Sequence, residues 1–152
     1  FRRVLFRSAG SGPEFPRLQR YARPDIRFLG WVSESELREL YRRARAFVFA
    51  AKEDFGIMPV EARACGCPVI AFGAGGAVET TLDGTSGVIF ETQDADAVMN
   101  AVLRLEAAPL TAEQVRSGVE RFSRERFQEQ IRGFVDARVR DSRKASPVSS
   151  RE

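Results

Sequence analysis

Histidine is absent from all 152 residues of the chain. That removes the commonest general base and the commonest metal ligand together. Ser-His-Asp and Cys-His catalysis cannot be assembled, and neither can a metal site built on two histidines. Only two cysteines occur, Cys65 and Cys67, one residue apart. They are too close for an easy disulfide and lack partners for a metal site, so they read as small buried residues. Neither metal nor cofactor is expected. A charge excess is lacking too: 24 Lys and Arg stand against 21 Asp and Glu, for a net +3. The arginines are scattered, so no nucleic acid partner is expected. No apolar run approaches the roughly 20 residues that cross a bilayer. No signal-peptide pattern opens the chain, and a cytoplasmic setting is expected.

What is present is ordinary for a globule: 43% hydrophobic and 30% charged residues. A chain of this size buries roughly 70% of its unfolded surface, enough for one domain with its own core. The opening, "FRRVLFRS", carries three arginines in eight residues and is unusual for a buried strand. For residues 1–8 two readings stay open, a non-native junction and native chain.

From there the pattern alternates. "IRFLGWV", Ile26 to Val32, is a short apolar strand. Ser33 and Glu36 form a capping box that starts a helix with Leu37, Leu40, Tyr41 and Ala44 on one stripe. "AFVFAA", Ala46 to Ala51, is a continuous run of the kind covered on both faces in parallel sheets. Pro59 is expected to open the next helix, which stops near Gly66. "PVIAF", Pro68 to Phe72, is a third strand. "GAGGAVETTL" is a glycine-rich turn entering a short helix. "SGVIFE", Ser86 to Glu91, is a fourth strand. Asp94 caps a helix with Ala95, Val98, Val102 and Leu105 on one face, interrupted by Pro109. A long helical stretch follows, recapped at Ser123, with Phe127, Ile131, Phe134 and Val135 at helical spacing. From Arg140 onward a frayed tail, residues 140–152, is expected. Strand and helix alternate throughout, which argues an α/β, Rossmann-like doubly wound parallel sheet with right-handed crossovers. Its ligand is expected beyond the carboxyl ends of the strands.

"EDFGIMPVE", Glu53 to Glu61, lies there. With Pro59 in a first helical turn, the amides of Gly56, Ile57 and Met58 sit at the positive helix end, which favours an anion, phosphate above all. Gly56 allows close approach. Glu53 on the preceding loop and Glu61, expected near the third helical position, are acceptors suited to ligand hydroxyls. A nucleotide sugar matches all three parts. The plainer alternative is that Glu61 complements the helix dipole and Glu53 caps a turn.

The stretch "EDFGIMPVEARACGCPVIAFGAGGAVET" resembles the signature of family 4 glycosyltransferases, retaining enzymes of the GT-B fold. Glu53 and Glu61 have the family's Glu, seven residues, Glu spacing. Phe55, Gly56, Pro59, Ala62, Ala64, Gly66, Pro68, Val69, Ile70 and Ala71 fill its other places. The likeness runs from about Gly10 to Val139. "EDFGIMPVEA" and "AGGAVET" look most like bacterial mannosyltransferases of the cell envelope. The resemblance implies the carboxyl-terminal half of a GT-B enzyme, with residues 1–139 as a partial nucleotide-sugar-binding domain and the amino-terminal acceptor domain absent. It implies a nucleoside diphosphate sugar donor, GDP-mannose favoured, and retaining hexose transfer to a glycan or lipid acceptor. Glu53 would be catalytic, binding donor-sugar hydroxyls. Phe55, Gly56, Ile57 and Met58 would line the sugar–phosphate path, Glu61 would hold the ribose, and Gly75 and Gly76 are further donor contacts. In the family the leaving phosphate is often described as helping to deprotonate the acceptor, which requires no base from this domain.

The family's diphosphate-neutralising Arg and Lys, in a "GR-five-residues-KG" segment, have no counterpart here. "GSGPE", Gly10 to Glu14, resembles a downstream point, so this chain alone is expected to bind donor weakly and transfer nothing. Two other readings are a non-catalytic nucleotide-binding domain and a nucleotide-sugar epimerase of similar fold, the latter disfavoured by the lack of histidine. "GAGGAV" matches a dinucleotide fingerprint only at Gly73 and Gly75, with Val78 in the third place. Arg38, Arg42 and Arg45 share a helical face; a solvated surface is the favoured reading over peripheral membrane contact.

Overall fold

A computed structural model describes residues 5–145. Five strands alternate with helices: β1 Phe6–Ala9, α1 Phe15–Gln19, β2 Ile26–Gly30, α2 Glu34–Arg43, β3 Phe47–Phe49, α3 Ile57–Ala64, β4 Val69–Phe72, α4 Ala77–Thr80, β5 Gly87–Phe90. Helices α5 Ala95–Ala107, α6 Ala112–Arg116 and α7 Arg124–Ala145 complete the chain, with a 3-10 turn at Val119–Phe122. The expected α/β architecture with parallel strands is present.

The ladders fall into two groups. Strands β3, β4 and β5 form one parallel sheet in that order, and β1 and β2 form a separate parallel pair. Alternation along the chain reveals strands but not their neighbours, so a single sheet was the natural expectation. The arginine-rich opening also supplies part of β1: Phe6, Arg7 and Ser8 pair with Ile26, Arg27 and Phe28.

Strand β4 carries the core. Val69, Ile70 and Ala71 are all buried. Period-two alternation sends Val69 and Ala71 to one face and Ile70 to the other. The first face meets Tyr41 of α2 and Ala62 of α3. The second meets Ala101 and Leu105 of α5. Burying each large aliphatic side chain contributes about 1.5–3 kcal/mol, so both faces are held by apolar contact.

The caps follow the sequence. Ser33 Oγ accepts from the Glu36 amide at 3.3 Å and Glu36 returns the bond to the Ser33 amide at 2.9 Å. Asp94 accepts from the Ala97 amide at 2.7 Å. The core face of α5 differs from expectation: Ala97 and Ala101 face inward and Ala95, in the first turn, is exposed. The long C-terminal stretch is broken by Gly118, whose φ of 72° is left-handed and ends α6. Ser123 then recaps, as its hydroxyl accepts from the Arg126 amide. Helix α7 continues to Ala145, past the expected start of the tail at Arg140; residues 146–152 lie outside the described residues. Arg45 lies beyond the α2 C-cap, Ala44, and so leaves the helical face shared by Arg38 and Arg42. Arg42 pairs with Glu39 and Arg45 with Glu106. Among the described residues no helix is long and apolar enough to cross a membrane.

Candidate functional site

The loop after β3 leads directly into α3. Gly56 is its N-cap, with φ 77°, ψ 75°. A left-handed residue here turns the chain sharply from loop to helix, and glycine takes that conformation at no steric cost. The helix therefore starts at Ile57, two residues before Pro59, which occupies the third helical position. Proline is still tolerated there, because the first-turn N–H groups have no intrahelical acceptor in any case. The amides of Gly56, Ile57 and Met58 have no protein acceptor among the described residues. They are the helix-end donors named from the sequence.

Glu61 moves with the boundary to the fifth helical position, not the third. It is exposed, as are Ile57 and Met58, four and three residues earlier on the same face. Helical side chains lean toward the N-terminus, so the Glu61 carboxylate is biased back toward the open amides. Glu53, Asp54 and Phe55 are exposed on the loop, while Gly56 is buried beneath Phe49 and Pro59. One helix face and one loop thus bring Glu53, Phe55, Gly56, Ile57, Met58 and Glu61 to the carboxyl end of β3.

Gly75 and Gly76 brace this loop. The Gly76 amide donates to Glu53 O at 2.7 Å. A Cβ on Gly75 would collide with that same carbonyl, and one on Gly76 with the Phe55 and Asp54 backbone. Their hydrogen-bearing faces are therefore packed on residues 53–55. On the other side the Phe55 ring meets Phe122 edge-on at 5.7 Å. Gln93 Nε2, from the loop after β5, donates to Ala50 O at 2.7 Å and ties a third strand end to the group.

One buried residue here escaped sequence reading. Arg63 is 1% exposed. Its Nε donates to Val115 O at 3.2 Å, Nη1 to Thr80 O at 2.6 Å and Nη2 to Ser117 O at 2.7 Å. Burial, then the neighbouring Arg121, lowers its pKa from the usual value. The signal was present: Pro59, Ala62 and Arg63 are spaced as one buried helical stripe. Tyr41 is buried as its place on the α2 stripe predicts, but its hydroxyl is left without a partner among the described residues. Burial, and then the charge of Glu61, pushes its pKa well up. Burial also pushes the Cys67 thiol up to about 12, which agrees with a small inert core residue.

Residues 2–107 match the family described as glycosyl transferases group 1. The chain belongs to the group 1 glycosyl transferases. A relative from Mycolicibacterium smegmatis, a GDP-mannose-dependent alpha-(1-6)-phosphatidylinositol monomannoside mannosyltransferase, is 32% identical over 137 residues, 82% of this chain and 36% of that one. A D-inositol 3-phosphate glycosyltransferase from Geodermatophilus obscurus is 40% identical over 98 residues, 60% of this chain and 22% of that one. The crystal structure of Anabaena HepE in complex with UDP-glucose aligns with a TM-score of 0.65 at 23% identity, over 86% of this chain and 40% of HepE. At that identity the likeness concerns the fold. This group 1 domain spans about a third or less of the curated relatives it matches.

Proposed function

We propose that residues 53–61 hold a nucleoside diphosphate hexose, as the donor half of a retaining glycosyltransferase. The observation that carries this reading is the left-handed Gly56 cap, with three unpaired amides beside two exposed acids. The diphosphate lies on the amides of Gly56, Ile57 and Met58, where the helix dipole favours negative charge. Glu61, one turn down and leaning back, accepts from the ribose hydroxyls. Glu53 accepts from the hexose hydroxyls and is the catalytic residue. Phe55 walls the sugar path, Gly75 and Gly76 keep that wall in place, and of the two only the exposed Gly75 offers further backbone contact, since the Gly76 amide and carbonyl are bonded within the protein. GDP-mannose is the favoured donor, supported by the mannosyltransferase relative that uses it. The acceptor is a glycan or lipid, bound by chain outside these 152 residues.

A helix dipole supplies about 0.3–1 kcal/mol to a nearby charge, little against a diphosphate of two charges. Weak binding and no transfer follow for the isolated chain. Calorimetry of the 152-residue chain with GDP, GDP-mannose and UDP-glucose, beside a radiolabelled transfer assay, tests both parts. The expected result is weak, GDP-selective binding without turnover. Turnover by the isolated chain would defeat the inactivity claim, and no response to any nucleotide would defeat the site.

A further inference from the structure

We infer, resting on the donor reading above, that Phe122 is a positioning residue for the donor hexose. It holds the Phe55 ring in place as the wall of the sugar path, and so governs how well the hexose is kept and told from its epimers.

Phe55 does not fix its own ring. It stands on the loop between β3 and α3 and is 44% exposed. Its backbone is set from below. The Gly76 amide donates to Glu53 O at 2.7 Å, and a Cβ on Gly76 would strike the Phe55 main chain. A fixed backbone still leaves the side chain a choice of staggered rotamers. Among the described residues the aromatic partner of this ring is Phe122, with centroids 5.7 Å apart and planes at 75°. An edge-to-face pair of this kind favours its own arrangement by about two- to tenfold.

Phe122 is itself held. The Arg121 guanidinium carbon lies 4.6 Å from the centre of its ring, and the same guanidinium donates to Glu79 O of α4. Upstream, Arg63 Nη2 donates to Ser117 O at 2.7 Å, just before the left-handed Gly118 that opens the 3-10 turn. Downstream, the Ser123 amide donates to Glu120 O at 3.0 Å and the Ser123 hydroxyl caps α7. The turn is thus tied to α3 and α4 on one side and runs into α7 on the other. Neither Phe55 nor Phe122 belongs to the buried clusters on the two faces of β4. The pair lies outside the core, at the loop that carries Glu53.

The two halves of the donor respond differently. The diphosphate lies on the amides of Gly56, Ile57 and Met58, whose direction is set by the left-handed Gly56. No side chain of the 3-10 turn is needed for that. The hexose lies against Glu53 and Phe55. Truncating Phe122 leaves the amides as they are and frees the ring.

Calorimetry of the 152-residue chain with GDP, GDP-mannose and GDP-glucose tests this, the last two differing only at C2 of the hexose. The variants are Phe122→Ala, Phe122→Leu, Phe55→Ala and the Phe55→Ala, Phe122→Ala pair. In Phe122→Ala, GDP affinity is expected to stay within about twofold while GDP-mannose binds about fivefold more weakly and loses its preference over GDP-glucose. Phe122→Leu, which keeps most of the volume without the ring, should show a smaller loss in the same direction. The double variant should match Phe55→Ala, because Phe122 acts through that ring. Equal losses for GDP and GDP-mannose would mark a merely structural role and overturn the inference. So would additive losses in the double variant, or an unmodified chain that binds all three nucleotides alike. In each of these cases nucleotide is still bound, and the donor reading stands. The Phe55 ring resonances give a readout without nucleotide. They are expected to move in Phe122→Ala while those of Phe90, buried in β5, stay in place; unmoved Phe55 resonances overturn the inference whatever binds. Moved resonances in a chain that binds no nucleotide would sink the donor reading, and this role with it. Where Phe122→Ala does not fold, Phe122→Leu decides by the same measurements.

Discussion

Arg63 directs its whole guanidinium at backbone carbonyls, those of Val115, Thr80 and Ser117. It therefore fastens α3, and with it the open amides, to α4 and α6. Hydrogen bonds from a charged donor contribute about 1.5–3 kcal/mol each, and their loss is not additive. Arg63→Ala is expected to cost about 3 kcal/mol or more of stability by urea denaturation, because it also leaves a cavity and unpaired carbonyls. Arg63→Lys should recover only part, since a point ammonium cannot reproduce the planar fork. Equal stability of Arg63→Ala and the unmodified chain would remove this anchoring role. The glycine pair acts at the same scale. Gly76→Ala forces a Cβ against the Phe55 and Asp54 backbone. Overpacking of this kind costs about 1–3 kcal/mol, here relieved by shifting the loop that carries Glu53. The expected signature is a clear loss of GDP affinity by calorimetry with the melting temperature lowered but the fold kept. Unchanged affinity would show that the loop does not need this brace.

Among the elements, those with local signals were legible in the sequence. The capping box at Ser33 and Glu36, the cap at Asp94 and the recap at Ser123 all lie within three residues of what they bond. The α3 boundary was misplaced because Pro59 is compatible with any first-turn position, whereas the deciding feature is the left-handed Gly56, which one sequence does not display. The role of Gly75 and Gly76 was hidden for another reason: the backbone they accommodate is some twenty residues earlier in the chain. The cap of α5 gives a pH prediction. Hydrogen bonding from the Ala97 amide holds the Asp94 carboxyl below the usual Asp range. A depressed folded pKa means stabilisation that is full above the ordinary value near 4 and lost as pH falls through the folded one. Asp94→Asn keeps a capping oxygen but cannot titrate. Its melting temperature should therefore fall less than that of the unmodified chain between pH 5 and pH 2. Parallel curves would mean that this cap contributes nothing to the acid limb.

At the scale of the whole molecule, the strands were legible but their order was not, because pairing joins segments far apart in sequence. The run expected to be covered on both faces was β3, yet among the described residues β3 ends its sheet with Phe47 and Val48 half-buried, and the buried centre is β4; β1 gave no such signal, since its arginine and its exposed Phe6 fit an uncovered strand. The chain's share of its relatives, 36% for the mannosyltransferase, has a direct consequence for binding. In doubly wound sheets the ligand crevice lies beyond the carboxyl ends of the strands. On the proposed reading the loop carrying Glu53 is one wall of that crevice, and chain outside these residues supplies the other. The longer protein should bind GDP at least about tenfold more tightly than the 152-residue chain, a difference of about 1.4 kcal/mol, in titrations at matched salt. Glu61→Ala should weaken GDP binding in both. Glu53→Ala should leave GDP affinity largely intact and abolish most hexose transfer by the longer protein. Equal affinities in the short and long chains would place all of the nucleotide binding on residues 53–61. A Glu53→Ala enzyme with undiminished turnover would take Glu53 out of the chemistry and leave the open amides as a phosphate site alone.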